Sequence, residues 1–226
     1  MIYFNQQRLP TESFTQPDTY RQSRLPVDQA STLIPDAYTA NEFFALEQEK
    51  IFASSWVAVG CLPQISKQGD ILVTEVAGRS ILVIRSKKDK LGAFYNVCRH
   101  RGSKLLFKSC NIKSIRCPYH SWVYGLDGKC LGTPMFQNEK TASKATEMTD
   151  ADHFDKKDYG LYPVSVRSWG LLIFVNLSME TSNGVSEDEV TAGFEEWLGD
   201  LPQKFQSHVL EKWEISKEKN YDVASN

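Results

Sequence analysis

"CRHRGSKLLFKSCNIKSIRCPYHSW", residues 98–122, gathers three of the chain's five cysteines and two of its four histidines into one stretch. Cys98 and His100 form C-x-H, Cys117 and His120 form C-x2-H, and sixteen residues separate His100 from Cys117. Each pair follows a run that reads as a β-strand, "AFYNV" and "SIRC", so two loops can lie side by side at one end of a sheet and bring four ligands to one centre. Pro118 stiffens the second loop.

Three uses of such a stretch compete. The cysteines can be buried thiols with incidental histidines beside them. They can form a Cys2His2 zinc site, although structural zinc pairs usually run C-x2-4-C and H-x3-5-H, with like ligands together. Or they can hold a 2Fe-2S cluster with two thiolates on one iron and two imidazoles on the other. Two loops that each supply one thiolate and one imidazole match that division, and the third use is favoured.

The rest of the chain frames this choice. At 226 residues it buries a real core without needing metal or disulfides merely to fold. A hydrophobic content of 41% and a charged content of 24% are those of an ordinary globular protein, and a formal charge of -2 offers no broad field for nucleic acid or anionic lipid. The N-terminus lacks a basic region followed by an apolar run, and no stretch is apolar for the 18 or so residues that span a bilayer. No nucleic acid and no membrane are expected as partners, and the expected compartment is the cytoplasm. Five cysteines are an odd number and too few for a disulfide scaffold; in a reducing compartment, clustered Cys and His point to metal or catalysis.

Residues 1–34 are rich in Gln, Thr, Ser and Pro and read as an extended arm outside the core. "TANEFFALEQEKIF" predicts a helix ending near Ser54, with a capping box of Thr39 and Glu42 and a buried stripe of Phe43, Phe44, Leu46, Ile51 and Phe52. From Trp56 the period changes. "WVAVGCL", "ILVTEV", "SILVIR", "AFYNV" and "SIRC" are short strands broken at Gly69-Asp70 and Gly78-Arg79, and "WVYGLDGKCL" adds a hairpin turning at "LDG". A long polar loop from Thr133 to Asp158, with room for a short helix, precedes two strands in "YPVSVRSWGLLIFVNL" that turn near Ser168–Gly170. Residues 186–207 read as a helix with Phe194, Trp197 and Leu198 on one face, and the tail alternates in part like a strand. The fold class is mostly β, an antiparallel iron–sulfur β domain with an N-terminal helix and peripheral helices, α+β overall.

The spacing C-x-H-x(15–17)-C-x2-H, with "CRHRG" and "CPYHSW", resembles the signature of the large (α) subunit of Rieske non-heme iron oxygenases, the ring-hydroxylating family. "FDKKDYGLYPVSVRSWGLLIFVNL" is similar to the segment that closes the Rieske domain there, and the resemblance covers residues 35–226. It implies Cys98, His100, Cys117 and His120 as the ligands of a 2Fe-2S cluster. It divides the chain into an arm (1–34), a Rieske domain (35–180), and a linker helix leading into the start of a truncated catalytic domain (181–226).

In the respiratory relatives a disulfide clips the two loops; Ser103 and Tyr119 stand at those places here, so no clip is expected. Trp122 replaces a serine that there bonds a bridging sulfide, while Tyr124 remains at the place of a tyrosine that donates to a cysteine sulfur. Fewer hydrogen bonds to sulfur imply a low potential. The family's second iron, a mononuclear Fe(II), sits in a catalytic domain whose D/E-x2-H-x3-5-H motif is not found in this sequence. No catalytic residue is therefore assigned. The resemblance implies an oxidoreductase component passing electrons from a reductase or ferredoxin to that iron, for hydroxylation or dealkylation of a small organic substrate, within a homotrimer of the full-length protein. A free-standing Rieske-type ferredoxin is the alternative. "CPYHSWVYGLDGK" is closer to the subgroup acting on choline, betaine or carnitine than to the aromatic dioxygenases.

The remaining candidates have plainer expectations. Cys61 and Cys130 read as small core residues, Cys110 fits no ligand role, and His153 and His208 read as surface histidines. Arg99 and Arg101 belong to a solvated basic face or a docking surface, and Trp122 to a wall shielding the cluster.

Overall fold

Strand β3, Arg79–Lys87, carries the apolar run "ILVI" in which side chains on both faces are fully buried. A strand buried on both faces must lie inside a sheet that is covered on both sides. In the computed structural model, which describes residues 9–87, 90–134, 154–178, 186–217 and 219, that is its position. Strands β1 (Val57–Cys61), β2 (Asp70–Val76), β3, β4 (Lys90–Tyr95), β5 (Cys110–Asn111), β9 (Pro163–Trp169) and β10 (Leu172–Asn176) form one sheet in the order β1-β10-β9-β4-β3-β2-β5. Strands β6 (Ile115–Arg116), β7 (Val123–Tyr124) and β8 (Cys130–Gly132) form a second, small sheet, and neighbouring strands in both sheets are antiparallel.

Alternation along β3 sends its neighbours to different cores. Leu82 and Ile84 pack with Ile71, Ile115, Trp122 and Tyr124, joining the small sheet to the large one. Ile81 and Val83 pack on the other face with Val164, Ile173 and Val175. Cys98 and Cys117 belong to the first of these cores, so the candidate ligands are anchored in the packing rather than borne on free loops.

The turns follow their sequences. The β2–β3 hairpin turns on Ala77 (φ 50°) and Gly78 (φ 69°), a two-residue turn with both residues left-handed, as the twist of an antiparallel pair favours. The β7–β8 turn closes through Gly125 N–H to the Lys129 carbonyl (2.9 Å) and Gly128 N–H to the Gly125 carbonyl (3.0 Å), where "LDG" predicted it. The β9–β10 hairpin turns at Gly170, φ 56°, as expected.

Helix α3, Glu187–Leu198, starts at a reciprocal cap: Glu189 N–H donates to Ser186 Oγ (3.2 Å) and Ser186 N–H donates to Glu189 Oε2 (2.7 Å). Its Val190, Phe194 and Leu198 recur at helical spacing and bury against Trp56 and Phe174. The helix predicted through residue 207 breaks at Gly199 (φ 55°), and Pro202 opens a separate short helix, α4, Leu201–Lys204. Trp197 was expected on the buried face; it lies at the rim, 44% exposed, against Phe174 and Phe194. Residues 213–217 form no strand, and the rest of the tail apart from 219 lies outside the described residues, as do His153 and most of the polar loop after Thr133.

Residues 53–217 make one compact unit and residues 1–52, with 218–226, another. In the second, the arm is not simply extended: it winds through short 3-10 turns at Thr11–Thr15, Pro17–Tyr20 and Gln22–Arg24, and buries Phe14 edge-on against Phe43 at 5.4 Å. The helix predicted over residues 39–52 becomes α2 (Asn41–Glu47) and a π-turn over Gln48–Phe52, preceded by a separate short helix, α1 (Asp36–Thr39). The capping box does not form, because Thr39 lies inside α1 and its hydroxyl donates back to the Pro35 carbonyl (3.3 Å), leaving Ala40 at the N-cap of α2. Phe44, Ile51 and Phe52 are exposed, since the break and the π-turn rotate them off the stripe that a continuous α-helix would have made. Among the described residues no helix is long and apolar enough to cross a membrane.

Ala77 pays a left-handed penalty that Asn tolerates. Replacing it with Asn is expected to raise stability by about 0.5–1 kcal/mol, read as a higher Tm with unchanged cooperativity.

Candidate iron–sulfur centre

The two ligand loops are built on one hydrogen-bond pattern. Cys98 N–H donates to the Ser103 carbonyl (2.8 Å) and Gly102 N–H to the Cys98 carbonyl (3.0 Å). In the same relation, Cys117 N–H donates to the Trp122 carbonyl (2.8 Å) and Ser121 N–H to the Cys117 carbonyl (3.1 Å). The fourth residue after each cysteine is left-handed, Gly102 at φ 67° and Ser121 at φ 59°. Each cysteine thus heads a five-residue loop closed on itself, with a histidine near its tip.

One buried side chain locks the first loop. Asn96, just past β4, accepts from the N–H groups of Leu105 (3.1 Å) and Leu106 (3.0 Å), and its amide donates to the Leu106 carbonyl (2.6 Å) and Ser80 Oγ (3.1 Å). The second loop needs no such lock, because it joins paired strands β6 and β7 directly.

The four expected ligands lie as two pairs, thiol near thiol and imidazole near imidazole. Cys98 and Cys117 are each 2% exposed and near enough for each thiol to shift the pKa of the other. Burial drives the Cys98 thiol up, partly offset by the Tyr124 hydroxyl and the His100 N–H. Burial would also raise Cys117, but the N–H groups of His120 and Tyr119, with the Cys98 thiol and the Ser103 hydroxyl, hold it below the usual thiol range. Donors aimed at sulfur favour the thiolate, the form that binds metal. The His100 and His120 rings stand edge to face with centroids 4.7 Å apart. Burial, His120 and Arg101 all push His100 down, toward the neutral imidazole that a metal requires.

Aromatic neighbours fix the rings. Trp122, fully buried, stacks on His100 at 4.9 Å and 8°, and is itself held edge-on by Phe154 and Tyr159. It is the wall the sequence suggested. Tyr119 covers the His120 ring at 3.7 Å. Tyr124 Oη lies 3.2 Å from Cys98 Sγ and accepts from Arg99 N–H (3.0 Å); burial, with Cys98 beside it, pushes its pKa far up, so its proton stays available to sulfur.

Arg99 departs from both expectations for it. Its guanidinium turns inward, stacks over Tyr162 at 3.8 Å and donates to the Gly160 carbonyl (2.7 Å), tying the first ligand loop to the segment before β9. Of the other cysteines, Cys130 is buried in the core as expected. Cys61, at the end of β1, is only partly buried, and Cys110 sits half-buried in edge strand β5, packed against the core that holds Cys98 and Cys117. Asn96 and Ser103 are the functional residues the sequence did not reveal: an Asn after a strand signals a turn, and nothing local marks one whose partners lie ten residues on.

The donor set and its surroundings fit a 2Fe-2S group. The Nδ1 atoms of both histidines are shielded from water, and that of His120 has no hydrogen-bond partner, a costly state that a metal bond would relieve. Among the described residues, no three His, Cys, Asp or Glu side chains close on one point to hold a single ion. Two thiols that act on each other and two imidazole rings edge to face suit two metal atoms, each taking one pair of ligands.

A family model described as the Rieske [2Fe-2S] domain matches residues 55–147. The carnitine monooxygenase oxygenase subunit of Acinetobacter baumannii is 31% identical over 198 residues, covering 83% of this chain and 49% of that protein. Choline monooxygenase, chloroplastic, of Beta vulgaris is 31% identical, covering 83% and 38%. The glycine betaine monooxygenase oxygenase subunit of Pseudomonas aeruginosa is 33% identical, covering 76% and 36%. A crystal structure of a quaternary ammonium Rieske monooxygenase superposes with a TM-score of 0.66 at 26% identity over 93% of this chain and 51% of that one. This chain therefore spans half or less of the length of the curated relatives it matches. The fold and its paired loops define a domain built around an iron–sulfur cluster. The chain belongs to the Rieske oxygenase family, with the oxygenase large (α) subunits.

In the cluster-loaded protein, Tyr124→Phe is expected to lower the reduction potential by about 40 mV, the equivalent of losing about 1 kcal/mol of hydrogen bonding to sulfur in a one-electron couple, measured by redox titration.

Proposed function

We propose that Cys98 and Cys117 bind one iron and His100 and His120 the other iron of a 2Fe-2S cluster, and that the domain is the electron entry of an oxygenase α subunit. The observation that carries this reading is the twin-loop geometry, which buries both thiols side by side and sets both imidazoles next to each other with the Nδ1 of His120 unpartnered. When bound, the cluster supplies a one-electron carrier. The chain's own residues do the rest: the N–H groups of Tyr119 and His120 and the Ser103 and Tyr124 hydroxyls donate to sulfur, and Trp122 holds the His100 ring and excludes water behind it.

In the full-length protein the electron passes to a mononuclear Fe(II) for hydroxylation or dealkylation, received from a reductase or ferredoxin. Relatives named for carnitine, choline and glycine betaine support a quaternary ammonium substrate. They also favour an oxygenase component over a free-standing ferredoxin. A solved relative whose description includes inter-subunit electron transfer supports a homotrimer in which one subunit's cluster serves its neighbour. Residues 35–180 form the Rieske domain in this reading, and 181–226 lead into the catalytic domain. The compartment is the cytoplasm, in keeping with five free cysteines.

Anaerobically purified chain is expected to contain two irons and two acid-labile sulfides. His120→Ala should lose the cluster, while replacement of the exposed His208 should leave its spectrum unchanged. Stoichiometric zinc without sulfide would overturn the assignment. Given electrons, this chain alone should form no product from carnitine, choline or glycine betaine; product formation would reveal a second centre within it.

A further inference from the structure

The side chain of Arg99 reaches out of the first ligand loop to residues 160–162. Its Nη1 donates to the Gly160 carbonyl (2.7 Å) and its guanidinium stacks over the Tyr162 ring at 3.8 Å. A planar guanidinium makes both contacts at once, which the compact ammonium of a lysine does not. The anchor is itself fastened, because Tyr95 N–H donates to the Tyr162 carbonyl (3.0 Å) and Leu161 N–H to the Gly128 carbonyl (2.8 Å). It is thereby tied to the end of β4 and to the β7–β8 turn.

The backbone of the same residue has a different partner. Arg99 N–H donates to Tyr124 Oη (3.0 Å), and Tyr124 Oη lies 3.2 Å from Cys98 Sγ. A phenol oxygen that already accepts an N–H has its one proton left for another acceptor, and the sulfur is the neighbour within reach. Together they form a chain, Arg99 N–H to Tyr124 O–H to Cys98 sulfur, in which each hydrogen bond polarises the next. Tyr124 is fully buried, so bulk water does not compete for the hydroxyl. The loop's own closure holds Cys98 and Gly102 at its ends. Arg99 stands between them, with Tyr124 on its N–H and the anchor on its side chain.

We infer that Arg99 is a positioning residue: its anchored side chain holds in place the backbone N–H that aims the Tyr124 hydroxyl at Cys98, and through it sets part of the cluster's reduction potential. The inference rests on the proposed function and adds a residue that ligates no metal, together with Tyr162, more than sixty residues away and 47% exposed, as its support. A hydrogen bond to sulfur favours the more negative, reduced cluster, so loosening the chain lowers the potential. Two other roles for Arg99 make different forecasts. A guanidinium acting only as a nearby charge would raise the potential whatever Tyr124 does. A guanidinium acting only as a staple would contribute to stability and leave the potential alone.

The test is a double-mutant cycle read by redox titration of the cluster-loaded chain, with the visible spectrum as the check on loading. Arg99→Met in the parent should lower the potential by at least about half of the fall that Tyr124→Phe causes. In the Tyr124→Phe background the same substitution should cause less than about a quarter of that fall, because the link it acts through is gone. Tyr162→Leu, which alters no charge and lies outside both loops, should repeat the pattern with a smaller fall. Tyr162→Phe keeps the ring and should match the parent. Where Arg99→Met does not hold its cluster, the two Tyr162 variants read the same coupling. Equal falls with and without the Tyr124 hydroxyl would make Arg99 a through-space charge, and a lower Tm with an unchanged potential would make it a staple; either result overturns the inference. A parent chain with no 2Fe-2S spectrum to titrate overturns the proposed function instead.

Discussion

The structure depends on the closure of two five-residue loops by the backbone of their leading cysteines. Each N–H and C=O of Cys98 and Cys117 closes its own loop, and the N–H groups of the loop tips, His100, Tyr119 and His120, are turned toward the sulfurs. Because both thiols lie in the core that joins the small sheet to the large one, the loops cannot drift without disturbing Ile71, Leu82, Ile115 and Tyr124. The sheets thereby serve as a rigid mount, and β3, buried on both faces, is its centre. A site fixed in this way needs little reorganisation when its charge changes, as suits a centre that gains and loses electrons.

Around that mount, polar and aromatic groups divide the work. Tyr124, Ser103 and two N–H groups face the thiols, where they favour the charged ligand. Trp122 stacks on His100 and Tyr119 leans over His120, and burial pushes His100 toward the neutral form. Arg99 and Asn96 face away from the metal side and tie the first loop to Gly160 and to Leu105–Leu106. The second loop, short and held between paired strands, needs no comparable anchor. The difference reflects chain connectivity: fourteen residues separate β4 from β5 around the first cysteine, and six separate β6 from β7 around the second.

Much of this was legible in the sequence because its signals are local. Mixed Cys and His pairs at fixed short spacing announce ligand loops whatever surrounds them, and alternation with Gly-containing turns marked β2, β3, β9 and β10 close to their observed places. What escaped was non-local. Asn96 matters through partners on a loop that must first fold back, and the inward turn of Arg99 requires Tyr162, more than sixty residues away. The buried stripe expected on the helix over residues 39–52 failed for a different reason. Its pattern assumed one continuous period, whereas the chain restarts at Ala40 and widens into a π-turn at Gln48, and each change rotates the apolar side chains.

The central claim is that one iron is held by Cys98 and Cys117 and the other by His100 and His120. Mössbauer spectroscopy of the oxidised protein, prepared with isotopically enriched iron, addresses it most directly. The account predicts two quadrupole doublets of equal area, one from an iron with only sulfur ligands and one from an iron with two nitrogen ligands, with both lost in His120→Ala. A single doublet, from equivalent irons or from one mononuclear site, would contradict it.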